Sequence, residues 1–258
     1  MTSSVKINTI EPEGATTNLV IGQSGQNTII GNNDIRANVL QDSGGNAIFT
    51  SNGSGVLSGV DSQFGSSMVL LSTQTVSTSA ISSIIFTLPT AYEQVVWRFY
   101  NVDSANDGVG FTFNVSTDGT NYNMVKTTAG FSAFQREDGA APTVAYTGYA
   151  LAQSANAQTL AGSLGNDADQ CTAGEFTIFT PAGTTYVKHW MSKFQTAHYE
   201  NYTQEMQHFG YINDAANDIS HIKFAMSSGN IAGGTITVSY THLRAHETRH
   251  DLVCRLLL

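Results

Sequence analysis

Three histidines stand four residues apart near the end of the chain: His242, His246 and His250, in HLRAHETRHDLVCRLLL. On a helix that spacing brings three imidazoles to one face, where they could ligate a transition metal. A second stretch, KHWMSKFQTAHYENYTQEMQHF (188–209), gathers Trp190, Phe194, His198, Tyr199, Tyr202 and His208 among polar residues. Tyrosine and tryptophan join a broad apolar face to a hydrogen-bonding edge, which suits a sugar ring or a protein receptor. Trp190 and Phe194 read as inward-facing strand residues. His198, Tyr199, Glu200 and Tyr202 read as a loop between two strands, and these four are the candidate receptor-binding residues.

The three-histidine face has a different origin. The codons GTC TCT TAT ACA CAT CTC CGA GCC CAC GAG encode Val238 to Glu247, and that string resembles the reverse complement of a transposase-type sequencing adapter. Leu252 to Leu258 match CTC GTA TGC CGT CTT CTG CTT, which resembles a second fixed adapter segment, with a short variable stretch between. Residues 238–258 are therefore expected to be a non-native, adapter-derived tail. The last native strand, GGTIT, would then be cut short and leave its partner an unpaired edge.

The other histidines, His189, His198, His208 and His221, include no pair at helical metal spacing, so no metal and no cofactor are expected. Asp103, Asn106 and Asp107, Asp167 and Asp169, and Asp214, Asn217 and Asp218 mark acidic loops. Calcium wants six to eight oxygens and each loop offers few, whereas Asp and Asn form turns for local reasons. STDGTNY (116–122) departs from the Asp-box of sialidases, with Gly119 and Thr120 one residue early and Tyr122 in place of Trp. Asp118-Gly119 reads instead as a two-residue hairpin turn. Cys171 has no partner cysteine before the tail, and neither G-x-S-x-G nor a phosphate-binding glycine loop occurs. The residues point away from an enzyme.

The elements that must position these residues are strands. Charged residues make up 12 % of the 258, about half the usual share, while 41 % hydrophobic residues allow a substantial core. A net charge of −9 argues against nucleic acid as a partner, and no apolar run is long enough to cross a membrane as a helix. Residues 1–65 hold ten glycines and two aromatics, Phe49 and Phe64. Their apolar clusters (Leu19-Val20-Ile21, Ile29-Ile30, Val39-Leu40, Ala47-Ile48-Phe49, Val56-Leu57) recur every eight to ten residues between Gly/Asn-rich turns, which predicts brief strands. Such strands bury too little by themselves to offset their folding entropy, so copies would have to share a core.

From about Met68 the pattern becomes strict alternation. Val95, Trp97 and Phe99 share a face, as do Val109, Phe111, Phe113 and Val115, then Phe176, Ile178 and Thr180, then Ile222, Phe224 and Met226. About ten strands without a helix predict an all-β chain: an N-terminal short-strand fibrous segment (1–65) followed by a jelly-roll-like antiparallel β-sandwich (66–237).

NLVIGQSGQNTIIGNNDIRANVLQDSGGNAIFTSNGSGVLSGV resembles the fibrous leader of tail-fibre and related virion proteins of marine tailed bacteriophages. LLSTQTVSTSAISSIIFT, FNVSTDGTNYN, YVKHW and IKFAMSSGNIAGGTI extend the similarity into the second part. The resemblance implies a homotrimeric structural protein of the virion tail that contacts other tail proteins. It also implies attachment to a bacterial surface glycan or protein receptor. A polysaccharide hydrolase or lyase of the tail, or a purely structural decoration protein, are the alternatives.

Overall fold

The computed structural model describes Val39–Gln41, Ala47–Ser51, Leu57–Val60 and residues 68–241 apart from 91 and 141. The chain divides into two compact units, Met1–Val60 and Asp61–Leu258. Every regular element among the described residues is a β-strand.

In the first unit, β1 (Val39–Gln41), β2 (Ala47–Ser51) and β3 (Leu57–Val60) form an antiparallel sheet in chain order. Three of the apolar clusters fall on or beside these strands. The clusters at 19–21 and 29–30 lie outside the described residues.

Among its described residues the second unit holds twelve strands, where the residue pattern predicts about ten. They are β4 (Met68–Val76), β5 (Ile84–Thr87), β6 (Gln94–Ser104), β7 (Val109–Ser116), β8 (Lys126–Arg136) and β9 (Thr143–Tyr146). There follow β10 (Gln158–Leu164), β11 (Thr172–Phe179), β12 (Lys188–His198), β13 (Tyr202–Ile212), β14 (His221–Met226) and β15 (Ile231–Thr241). One layer runs β4-β15-β6-β11 and the other β5-β14-β7-β10, all pairs antiparallel. Eight strands in this order make a jelly roll. The remaining four are two insertions, β8–β9 between β7 and β10 and β12–β13 between β11 and β14. They extend the first layer in the order β11-β12-β13-β8-β9. One residue pair, Leu164 with His198, ties β10 of the second layer to β12 of the first.

The core lies between the layers and is built from the alternating residues of the sequence. Trp97, Phe99, Phe176, Trp190 and Phe194 point inward from the first layer, and Phe86, Phe111, Phe113 and Phe224 from the second. Their rings interlock across the gap: Phe99 lies 5.0 Å from Phe224 and 5.5 Å from Phe111, and Phe113 lies 4.6 Å from Phe176 and 4.9 Å from Trp190. These separations are in the favourable range for aromatic pairs, and each such ring buries roughly 150–250 Å² on folding.

Two expectations are corrected. The last strand is not cut at GGTIT: β15 continues to Thr241, with Val238, Ser239 and Tyr240 paired to Trp97, Val96 and Val95 of β6 and to β4 on the other side. Ile236, Val238, Ser239 and Tyr240 are all buried, with the register to β4 shifting between Val238 and Ser239, and Tyr240 stacks on Tyr92 at 3.4 Å. β4 is consequently paired rather than orphaned. Nor does Asp118-Gly119 close a hairpin. β7 is already flanked by β10 and β14, so β8 has no edge of β7 to join. Asp118 instead accepts the N–H groups of Thr120 and Asn121, both at 2.8 Å, while Gly119 takes φ 75° within the β7–β8 connection.

Candidate functional site

The four candidate residues sit together at the tip of the β12–β13 hairpin, which is an insertion to the jelly roll. The stretch predicted as a loop is a tight turn. His198 and Tyr202 are the last paired residues of the two strands, leaving three loop residues, Tyr199, Glu200 and Asn201. Asn201 adopts φ 59°, the left-handed conformation that closes three-residue hairpins and that asparagine tolerates, and its N–H bonds the His198 carbonyl at 3.0 Å.

Neighbouring elements fix the turn on several sides. The Tyr199 N–H reaches the Ser163 carbonyl at the end of β10 (3.2 Å), and the Glu137 N–H beyond β8 reaches the Asn201 carbonyl (3.2 Å). From the β10–β11 connection, buried Gln170 donates to the His198 carbonyl and to Asn201 Oδ1, each at 3.4 Å. The tip is thus a rigid point on a scaffold, unlike an ordinary exposed loop.

His198 is 4 % exposed and lies in an aromatic stack, with Tyr199 at 4.6 Å and Tyr202 at 3.7 Å between ring centres. Its Nδ1 accepts the Glu200 N–H at 3.1 Å, which leaves the ring hydrogen on Nε2 facing Tyr202 Oη. Burial is the main force that pushes the imidazole down to about 4, so the ring is neutral near pH 7. Beyond Tyr202, the Arg136 guanidinium lies 5.8 Å from its ring centre, and Phe134 packs against it at 5.1 Å. Arg136 also meets Asp138 at 3.3 Å and Glu200 at 3.9 Å.

At the outer end of the stack stands Tyr199, 39 % exposed, its hydroxyl donating to Glu200 Oε1 at 3.2 Å. The carboxylate holds the phenol above its usual range, first through that hydrogen bond and then through its charge, so the ring stays an intact neutral phenol. Gly108, at the β6–β7 turn, lies beside the ring. The arrangement offers a supported aromatic surface with carboxylate acceptors next to it.

The structure therefore brings all four predicted residues together but divides their roles: Tyr199 and Glu200 face outward, while His198 and Tyr202 hold them. Arg136 and Gln170 completed the site without any signal in the sequence, since they approach His198 from 62 and 28 residues away. Among the described residues no group of three or more His, Cys, Asp or Glu is placed to hold a metal ion. Comparison of the chain with protein-family models, with curated proteins and with solved structures found no match.

Proposed function

We propose that this chain is a structural protein of a bacteriophage virion tail, of the tail-fibre kind, which attaches the particle to a bacterial surface through the β12–β13 tip. The observation that carries the reading is the Tyr199–His198–Tyr202 stack: a partly exposed aromatic ring, supported from behind, in a turn that neighbouring strands hold still. A tyrosine face with acceptors at its rim receives the apolar C–H face of a sugar while Glu200 accepts its hydroxyl hydrogens. A surface glycan is the receptor this chemistry fits best. Each contact is weak, and several copies on one particle convert it into useful avidity. The virion origin rests on the resemblance of the N-terminal and strand sequences to tail-fibre proteins.

The test is retention of the fluorescently labelled full chain on a panel of marine bacterial strains, compared with Tyr199→Ala. On at least one strain the wild-type chain is retained and the variant binds at least 10-fold less, about 1.4 kcal/mol per site, with unchanged thermal stability. Equal retention of both chains, or no retention on any strain, would overturn the reading.

A further inference from the structure

We infer that the sugar taken at the β12–β13 tip carries a free amine, and that its ammonium seats between Glu200 and Asp107 at the exposed face of Tyr199. This rests on the attachment reading and adds the chemical class of the sugar. The end of β10 fixes the geometry. The Ser163 carbonyl accepts the Tyr199 N–H at 3.2 Å, and the Leu164 carbonyl accepts the Gly108 N–H at 2.7 Å. Leu164 also pairs with both His198 and Val109. Adjacent carbonyls of one strand therefore hold the β12–β13 turn, which carries Glu200, beside the β6–β7 turn, which carries Asp107. Gly108 takes φ 67°, and a Cβ there would stand 3.9 Å from Cδ1 and Cε1 of Tyr199. Glycine thus seats the β6–β7 turn against the ring with no side chain at 108 to cover it.

Charge selects among sugars. Glu200 Oε1 accepts the Tyr199 hydroxyl and Oε2 faces Arg136 at 3.9 Å, yet that guanidinium is shared with Asp138 at 3.3 Å. One cation against two carboxylates leaves negative charge over, and each carboxylate oxygen keeps a further lone pair to accept a donor. Asp107 is exposed and, among the described residues, has no hydrogen bond or ion pair. Its charge nevertheless reaches both Tyr199 and His198. The turns around the tip add Glu137, Asp167 and Asp169 and contain no Lys or Arg, while buried His198 stays neutral. Carboxylates beside an aromatic face attract an ammonium in two ways, through direct charge and through the ring quadrupole. A neutral hexose gains only the stacking contact, and an acidic sugar is repelled. An amino sugar brings the charge together with a flat C–H face for the phenol. A lysine of a protein receptor brings the charge on a flexible stem that must lose its freedom to bind.

The experiment titrates the full chain at pH 6 with three probes, followed by saturation-transfer NMR: the trimer of glucosamine, the trimer of N-acetylglucosamine, and trilysine. The glucosamine trimer is expected to bind about 10-fold more tightly than its N-acetylated counterpart. Glu200→Gln with Asp107→Asn removes that preference, and Tyr199→Ala weakens the glucosamine trimer about 5-fold while leaving trilysine unaffected. The inference is overturned if the two trimers bind equally, if neither binds, or if the double substitution leaves the preference in place. It is equally overturned if Tyr199→Ala leaves the glucosamine trimer unaffected, the mark of a general attraction of cations to a chain of net charge −9. Trilysine binding as tightly as the glucosamine trimer, with the same loss in Tyr199→Ala, would overturn it in favour of a protein receptor. Any of these results leaves the attachment reading standing where Tyr199→Ala still lowers retention on cells, so the two fail separately.

Discussion

Lowering the pH from 8 to 5 will cost the second unit about 2 kcal/mol at His208 alone. His208 lies on the inward side of β13, 1 % exposed, with Nε2 3.3 Å from Thr147 Oγ1 and with no partner at Nδ1. Burial pushes its imidazole down to about 4, against 6.5 for a free side chain. Between those values the unfolded chain binds a proton that the folded chain refuses, so stability rises with pH through the window and is lost on acidification. At pH 5 the gap is about 1.5 pH steps at roughly 1.4 kcal/mol each. His198, also pushed down to about 4, acts with the same sign. Asp138, Glu205 and Asp214 are held below their usual range, and their contributions disappear only at lower pH. Urea unfolding at fixed protein concentration, followed by the fluorescence of buried Trp97 and Trp190, measures the effect. His208→Gln, which keeps a donor for Thr147, should lose about half of the pH dependence. Equal stability at pH 5 and 8, or the same slope in wild type and variant, refutes the reasoning.

The aromatic core and the buried ammonium give two further tests. Phe224 touches Phe86, Trp97, Phe99, Phe111 and Phe176 across the two layers, so Phe224→Ala opens a cavity at the centre and should cost about 3–5 kcal/mol by denaturant midpoint. Lys126 is fully buried with only Asn114 Oδ1 (2.7 Å) and the Met124 carbonyl (2.8 Å) as acceptors, and desolvation brings its ammonium down to about 8 from 10.5. The unfolded chain then binds more protons between those values. Wild-type stability therefore climbs from pH 8 toward 10, and Lys126→Met should flatten the climb in the same urea assay, leaving the part due to Lys188, whose ammonium is also pushed down by burial.

Much of the fold was legible because burial imposes a period of two. The inward faces of β6, β7, β11 and β14 follow directly from Trp97, Phe111, Phe176 and Phe224 and their alternate neighbours. β8 and β13 were harder to read. Their inward positions include Lys126, Thr128, Gly130 and His208, polar or small residues that meet the segment 147–154, where the Thr147 N–H bonds the Gly130 carbonyl and the Leu151 N–H bonds Thr128 Oγ1. Strand order was not legible, because Asp118-Gly119 carries the local chemistry of a hairpin and only the occupied edges of β7 forbid one. At the tip, the aromatic and acidic residues identified a surface. That His198 is a buried prop depends on Ser163, Gln170 and Arg136, whose approach no local pattern encodes. One glycine was legible only in hindsight: Gly234 takes φ 114° where β15 crosses the irregular stretch of β6, and a Cβ there would lie 2.7 Å from the Asn101 carbonyl oxygen.

The position of β15 between β4 and β6 also governs when this unit can form during synthesis. Among the described residues β4 pairs with β15 alone, and β6 needs it to complete its second edge, yet some 160 residues separate β4 from the strand that joins them. A ribosome-bound chain therefore carries two open edges and a half-covered aromatic layer until Ile231–Thr241 has emerged. Closure by the last strand makes the loop long and the search slow, as expected when contacts are dominated by residues far apart in sequence. During that interval the nascent chains are exposed to edge-to-edge pairing with one another. Strand β15 acts as a timing element: the jelly roll, and any assembly that needs it, is delayed until this strand has been made.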